Sequence, residues 1–156
     1  DFFYPAARAA EDNGLKFFFF GGTEDENRQA VERARQLYPK LLISGRRNGY
    51  FSPAEETQIV RTIVESGTDV LWIALGKPRQ EEFSCRNRIA LTGVTWIKTC
   101  GGLYKFLAGI DKRAPQWMQK AGLEWLFRLI QEPRRLFWRY FVTNFQALWF
   151  LLTRTE

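Results

Sequence analysis

Four apolar runs, each followed by a glycine-bearing stretch and then a helical pattern, constrain this chain more than any other feature. The runs are Leu15–Phe20, Leu41–Ser44, Asp69–Leu75 and Val94–Thr99. The first is apolar throughout except for Lys16, and the third reads DVLWIAL. A strand that is apolar at consecutive positions is buried on both faces, the condition of a strand in a parallel sheet covered by helices. Helical patterns fill the intervals. Residues 2–13 form one, which Asn13-Gly14 caps. A second opens at Thr23, with Glu26 as its capping-box partner, and carries Ala30, Ala34 and Leu37 at helical spacing. Pro39 ends it. A third starts at Ser52-Pro53, turns Ile59, Ile63 and Val64 inward, and stops at Ser66-Gly67. A fourth runs from the GKPRQEE segment to the neighbourhood of Leu91. Strand, loop and helix repeated in this order predict an α/β fold, a Rossmann-like parallel sheet flanked by helices.

Right-handed crossovers put every loop that follows a strand along one edge of such a sheet. Ligands bind outside the carboxyl ends of the strands. The candidate ligand-binding residues therefore come from four places. Gly21 and Gly22 follow the first strand and either admit a phosphate to a helix N-terminus or make a tight turn. The loop GRRNGYF contributes Gly45, Asn48, Gly49 and Tyr50; Asn-Gly is also a plain turn pair, while Tyr50 could stack on a base or sugar. The loop GKPRQEE contributes Gly76, Pro78, Gln80 and Glu81 at a helix start, where backbone N–H groups favour an anion. Glu81 and Glu82 there equally well complement the helix dipole. Gly101 and Gly102 close the fourth strand.

Charge narrows the partners. The chain has formal net charge +6 and a pI near 9.6. The excess sits at the C-terminal end, where Lys112, Arg113, Lys120, Arg128, Arg134, Arg135, Arg139 and Arg154 face only Glu124, Glu132 and Glu156. Such a balance suits nucleic acid, an anionic membrane or a phosphorylated substrate. Nucleic acid rests on charge alone and is set aside. The chain has no histidine, which excludes a histidine base or a Ser-His-Asp triad within it. Cys85 and Cys100 lack metal-site spacing and read as reduced thiols. No Asp-x-Asp pair is present, so no metal and no cofactor is expected. Arginines and helix dipoles are left to neutralise any diphosphate, with Arg113, Arg128 and Arg135 foremost.

From Lys112 the character changes. Residues 1–111 read as a nucleotide-sugar-binding α/β domain and 112–156 as a helical appendage. One helix is expected from Pro115 to Gln131, and Glu132-Pro133 breaks it. A last helix runs from Pro133 to Leu152. Its stretch 136–152 is at the lower limit of the roughly 17–25 residues that a span needs. It holds Arg139, Asn144 and Gln146, all costly at a bilayer centre. Trp138, Tyr140, Phe141, Phe145 and Trp149 favour a helix lying in the headgroup layer. Burial in a homo-oligomer interface is the alternative.

Several segments now combine: GYFSP (49–53), GKPRQE (76–81), CGGLYKFLAG (100–109), KRAPQWMQKAGLEWLFRL (112–129) and QEPRRLFWRY (131–140). In this order they make the chain resemble the WecG/TagA/CpsF family of bacterial glycosyltransferases. The resemblance implies transfer of a sugar from a UDP-sugar donor to a polyprenyl-diphosphate-linked acceptor during cell-surface polysaccharide synthesis. The donor sugars it implies are N-acetylmannosamine, its uronic acid, or glucose. It also implies an inverting, metal-independent enzyme, peripheral on the cytoplasmic face of the plasma membrane. Gln80 matches a polar position of the family's active-site loop and is expected to support catalysis. Arg128 and Arg135 match arginines expected near the donor diphosphate. Three positions depart from the pattern. Tyr104-Lys105 stand where the family has Phe-Asp, and Trp138 replaces an arginine. The family's catalytic carboxylate and early Thr/Asn motif correspond to sequence before Asp1, so the general base is expected upstream. A catalytically incomplete chain that binds nucleotide sugar or membrane without turnover is the second expectation.

Overall fold

The structure is a computed structural model, and it describes residues 2–111, 114–131, 133, 134, 138, 143, 145, 149, 150 and 153. In chain order the elements are α1 (Phe3–Asn13), β1 (Lys16–Gly21), α2 (Glu24–Leu37), β2 (Leu42–Arg47), a 3-10 turn (Pro53–Glu55) leading into α3 (Glu56–Glu65), β3 (Val70–Ala74), α4 (Arg79–Arg86), β4 (Trp96–Thr99), α5 (Leu103–Leu107), α6 (Gln116–Lys120) and α7 (Glu124–Gln131). The four strands form one sheet in the order β2-β1-β3-β4, and every pairing is parallel. The parallel α/β sheet flanked by helices is therefore present as the apolar runs require. The chain divides into two compact units, Asp1–Asp111 and Lys112–Glu156.

The continuous apolar run of β1 is explained by the two layers it feeds. Phe17 and Phe19 turn to one face, where they meet Trp72 of β3, Phe3, Ala7 and Ala10 of α1, Ala30 and Ala34 of α2, and Leu103 and Tyr104 of α5. Phe18 and Phe20 turn to the other face, against Ile59 and Ile63 of α3, Leu71 and Ile73 of β3, and Phe83 of α4. All four phenylalanines are buried. Each contributes about 1.5–3 kcal/mol by leaving water, so both layers depend on β1, as they do on β3 beside it. Aromatic rings fill the first face edge to face, with Phe3 5.2 Å from Trp72 between ring centres.

Local signals hold at the helix ends. Thr23 Oγ1 accepts from the Glu26 N–H at 3.2 Å while Glu26 Oε2 accepts from the Thr23 N–H at 2.9 Å, the expected capping box. Gly14 ends α1 with φ +66°. Four boundaries differ from expectation. β2 continues through Gly45, Arg46 and Arg47, because these residues pair with Phe18, Phe19 and Phe20 of β1. α4 stops at Arg86, and turns carry the chain to β4. The short α5 was masked in the sequence by its flanking glycines. The single helix expected over 115–131 is two, α6 and α7, broken at Gly122, whose φ is +71°. Most of the last expected helix lies outside the described residues.

Candidate functional site

The strand order places the topological switch between β1 and β3: the chain leaves β1 toward β2 on one side and leaves β3 toward β4 on the other. At the carboxyl ends of these two strands the main chain itself makes the floor. The Gly22 N–H donates to the Ala74 carbonyl at 2.9 Å, and the Gly49 N–H donates to the Gly22 carbonyl at 2.8 Å. Three strand ends are thereby tied together by two backbone bonds. Side chains are excluded here. A Cβ on Gly21 would lie 2.4 Å from the Ala74 carbonyl carbon, and one on Gly49 would lie 3.1 Å from the Gly21 Cα.

Asn27 sits beneath this junction. It is fully buried on α2, and its Nδ2 reaches the carbonyls of Phe19 (3.1 Å), Gly21 (2.9 Å) and Arg47 (3.1 Å). One amide therefore holds the ends of β1 and β2 together. Tyr104, buried on α5, adds a second clamp: its hydroxyl donates to the Trp72 carbonyl at 2.7 Å, with the Phe20 carbonyl at 3.4 Å. Burial pushes its phenol well above the usual range. Asn27 was missed in the sequence, and Tyr104 was noted there only as a departure from the family pattern. For Asn27 a signal existed: a polar residue at the i, i+3, i+4, i+7 positions shared with Ala30, Val31 and Ala34.

The structure distributes the expected donor-binding residues unequally. Gly21, Gly22 and Gly49 come together in the junction just described. The Gly22 N–H is spent there, and the first turn of α2 carries Glu24, Asp25 and Glu26 behind a completed capping box. That end of α2 is electrostatically closed to a phosphate. Gly45 lies inside β2 rather than in the loop, and a Cβ on it would meet the Phe18 ring at 2.5 Å. Asn48 is held outward: its Nδ2 donates to Glu24 at 2.9 Å and its Oδ1 accepts from the Tyr50 N–H at 3.0 Å. Asn48 and Arg46 together hold the Glu24 carboxyl below the ordinary carboxylate range. Tyr50 is 70% exposed at the loop tip, available for stacking.

Gly76 and Pro78 shape the turn into α4, where the Gln80 N–H donates to the Gly76 carbonyl and the Glu81 N–H to the Pro78 carbonyl. The N–H groups expected to greet an anion are thus partly used by the turn. Gln80 is buried and its Oε1 accepts from the Gly101 N–H at 3.1 Å. It thereby joins the β3 and β4 loops, with Gly102 beside them. Lys105, at the position where the resemblance implies an acid, lies 3.8 Å from Glu26.

A cavity of about 200 Å³ adjoins the junction through Leu75. Phe51, Leu75 and Phe83 form its apolar side; Glu56, Arg79 and Arg86 are charged. Arg86 and Asn87 bind Glu56 from 2.7 to 3.3 Å and hold its carboxyl below the ordinary range, Arg86 most. The Arg79 guanidinium lies over the Phe51 ring, 5.7 Å from its centre. The larger groove along α1, about 460 Å³ beside Tyr4, Arg8 and Tyr38, has none of the strand-end glycines in its lining.

Neither thiol adds a nucleophile to the edge. Cys100 at the end of β4 donates to the Ile73 carbonyl at 3.3 Å, and burial pushes its thiol up to about 12. Iodoacetamide at about pH 8 is therefore expected to alkylate exposed Cys85 and spare Cys100 in the folded protein, as read by peptide mass mapping. Equal labelling of both would overturn that burial.

In the second unit, Trp138, Phe145 and Trp149 are exposed. Arg128 lies on α7, and its side chain is outside the described residues, as are Arg113, Arg135, Tyr140 and Phe141. No helix among the described residues is long and apolar enough to cross a membrane.

The edge assembled here has a main-chain floor, a buried amide bridging two loops, and carboxylates and arginines around it. The family model described as "Glycosyl transferase WecG/TagA/CpsF family" matches residues 1–155, nearly the whole chain. The chain belongs to the WecG/TagA/CpsF family of glycosyltransferases, and its reaction is the transfer of a sugar.

Proposed function

We propose that this transferase moves a sugar from a UDP-sugar to a polyprenyl-diphosphate-linked acceptor during synthesis of a bacterial cell-surface polysaccharide. The observation that carries the reading is the β1/β3 switch itself, where the carboxyl ends of three strands meet, the place at which open α/β sheets bind their ligands. N-acetylmannosamine, its uronic acid and glucose are the donor sugars considered. An acceptor hydroxyl attacks the anomeric carbon in line and inverts it. The new C–O bond forms as the bond to UDP breaks, a carboxylate takes the hydroxyl proton, and UDP leaves with the bonding pair. Arg113, Arg128 and Arg135 are assigned to the diphosphate, where guanidinium groups offset developing charge without a metal. Trp138, Tyr140, Phe141, Phe145 and Trp149 are assigned to the headgroup layer on the cytoplasmic face. The exposure of Trp138, Phe145 and Trp149 supports this.

The test is UDP release from each of several UDP-sugars, with and without a polyprenyl-diphosphate sugar in anionic vesicles. Acceptor-dependent release with at least one donor is expected. Donor binding without acceptor-dependent release from any of them would support the second reading, a chain that binds but does not turn over.

A further inference from the structure

One face of α1 is spent on the core, and the opposite face is bare. Phe3, Ala7 and Ala10 are buried against the sheet. Tyr4, Pro5, Arg8, Ala9 and Asp12 recur at the spacing of one helical stripe, and all are exposed. They line the groove of about 460 Å³ that Tyr38 bounds on the other side. The Tyr38 hydroxyl donates to the Tyr4 carbonyl at 3.1 Å and fixes that wall to α1. The stripe carries two opposite charges one turn apart. On α2 such spacing closes into ion pairs: Arg28 reaches Asp25 at 3.2 Å and Glu32 at 3.1 Å. On α1 the side chains of Arg8 and Asp12 have no ion pair or hydrogen bond among the described residues. A cation placed N-terminal to an anion opposes the helix dipole, which disfavours pairing within the helix.

A cation and an anion on one stripe, with Ala9 between them, make a surface complementary to itself. Turned about a two-fold axis over Ala9, each charge meets its opposite. A uniformly anionic partner would be repelled by Asp12, and a cationic one by Arg8. We propose that the α1 groove is the contact of a two-fold dimer. The α1 helix of a second copy lies antiparallel along it, with Arg8 of each copy against Asp12 of the other. Pro5 and Ala9 let the helices approach closely, and Tyr4 and Tyr38 supply apolar contact. The 11 residues of α1 span roughly 16 Å. The shared area therefore falls at the low end of the roughly 1,200–2,000 Å² of specific interfaces, and the dimer is reversible. The inference does not depend on which substrate the transferase takes.

The experiment is sedimentation velocity on the full chain over a wide concentration range, at low salt, where exposed charges are least screened. The parent is expected to pass from monomer to dimer as concentration rises. Arg8→Asp and Asp12→Arg each set like charges against one another twice, and each is expected to raise the dimer Kd at least about tenfold. The double exchange Arg8→Asp/Asp12→Arg is expected to restore the dimer. An equimolar mixture of the two single variants is expected to do the same, because each then presents the charge that the other needs. Thermal melts check folding, and Arg8→Ala, with a rise of about threefold, stands in for a reversal that unfolds the chain. A parent that stays monomeric at every concentration overturns the proposal. A dimer that both reversals leave intact overturns it too, since the contact then lies elsewhere. Loss in the single variants with no recovery in the double exchange or the mixture also overturns it.

Discussion

Replacing Gly21 by alanine is expected to remove about 4 kcal/mol of folding stability, a large share of the 5–15 kcal/mol typical of a domain. Two costs add. The residue sits at φ +119°, where an L side chain is strained. The new methyl would also stand 2.4 Å from the carbonyl carbon and oxygen of Ala74, and these are backbone atoms. Ala74 cannot retreat without pulling on β3, and its carbonyl already accepts the Gly22 N–H. Gly76→Ala supplies the contrast. Gly76 has φ +76° but nothing within 4 Å of the added carbon. Only the backbone term, about 1–2 kcal/mol, is expected there. Urea unfolding of the two variants measures the difference. Equal midpoints would mean that the strand ends yield to the methyl, and the junction would lose its standing as a rigid floor.

Asn27→Asp is expected to cost about as much, roughly 3–5 kcal/mol. The two side chains have the same shape, so packing is untouched. What changes is that a donor facing three carbonyls becomes an acceptor, and in its ionised form a buried negative charge. Asn27→Ala, which removes the donor without adding charge, should destabilise less. The order of the two midpoints is the test. An aspartate variant as stable as the parent would show that the β1 and β2 ends need no side-chain clamp.

Much of the fold was legible because burial on both faces leaves a simple trace. Phe17 to Phe20 could belong only to a strand covered twice, and the capping box at Thr23 needed no tertiary information. The boundaries that moved are ones that tertiary contacts decide. Gly45 to Arg47 look like a polar loop in isolation, yet pairing with β1 draws them into β2. The break between α6 and α7 depends on one glycine adopting a left-handed conformation, which composition does not specify. The site was legible as a set of loops and not as a set of roles. Gly21 and Gly22 left open a phosphate or a tight turn, and Gly45 and Gly49 were donor-binding candidates; the structure uses Gly22 and Gly49 to join strand ends and packs Gly45 against a ring. Asn48 was read as a ligand contact or a turn residue; it accepts from the Tyr50 N–H within the turn and holds Glu24. These roles come from residues distant in sequence, and no local pattern encodes them. Gln80 shows the same limit from the other side: its type suggested a polar contact, and only Gly101, far along the chain, shows where that contact goes.

The junction of Gly21, Gly22, Gly49 and Ala74 has one more consequence. Its two bonds run between main-chain atoms, so exchanging a side chain removes neither of them. Tyr50, Arg79, Glu81 and the other groups around it stand on that base like fittings on a frame. A substitution among exposed fittings such as Tyr50 and Arg79 is expected to leave the frame in register. Variation at those positions is therefore separable from folding, and a library confined to them should yield folded protein far more often than unfolded protein.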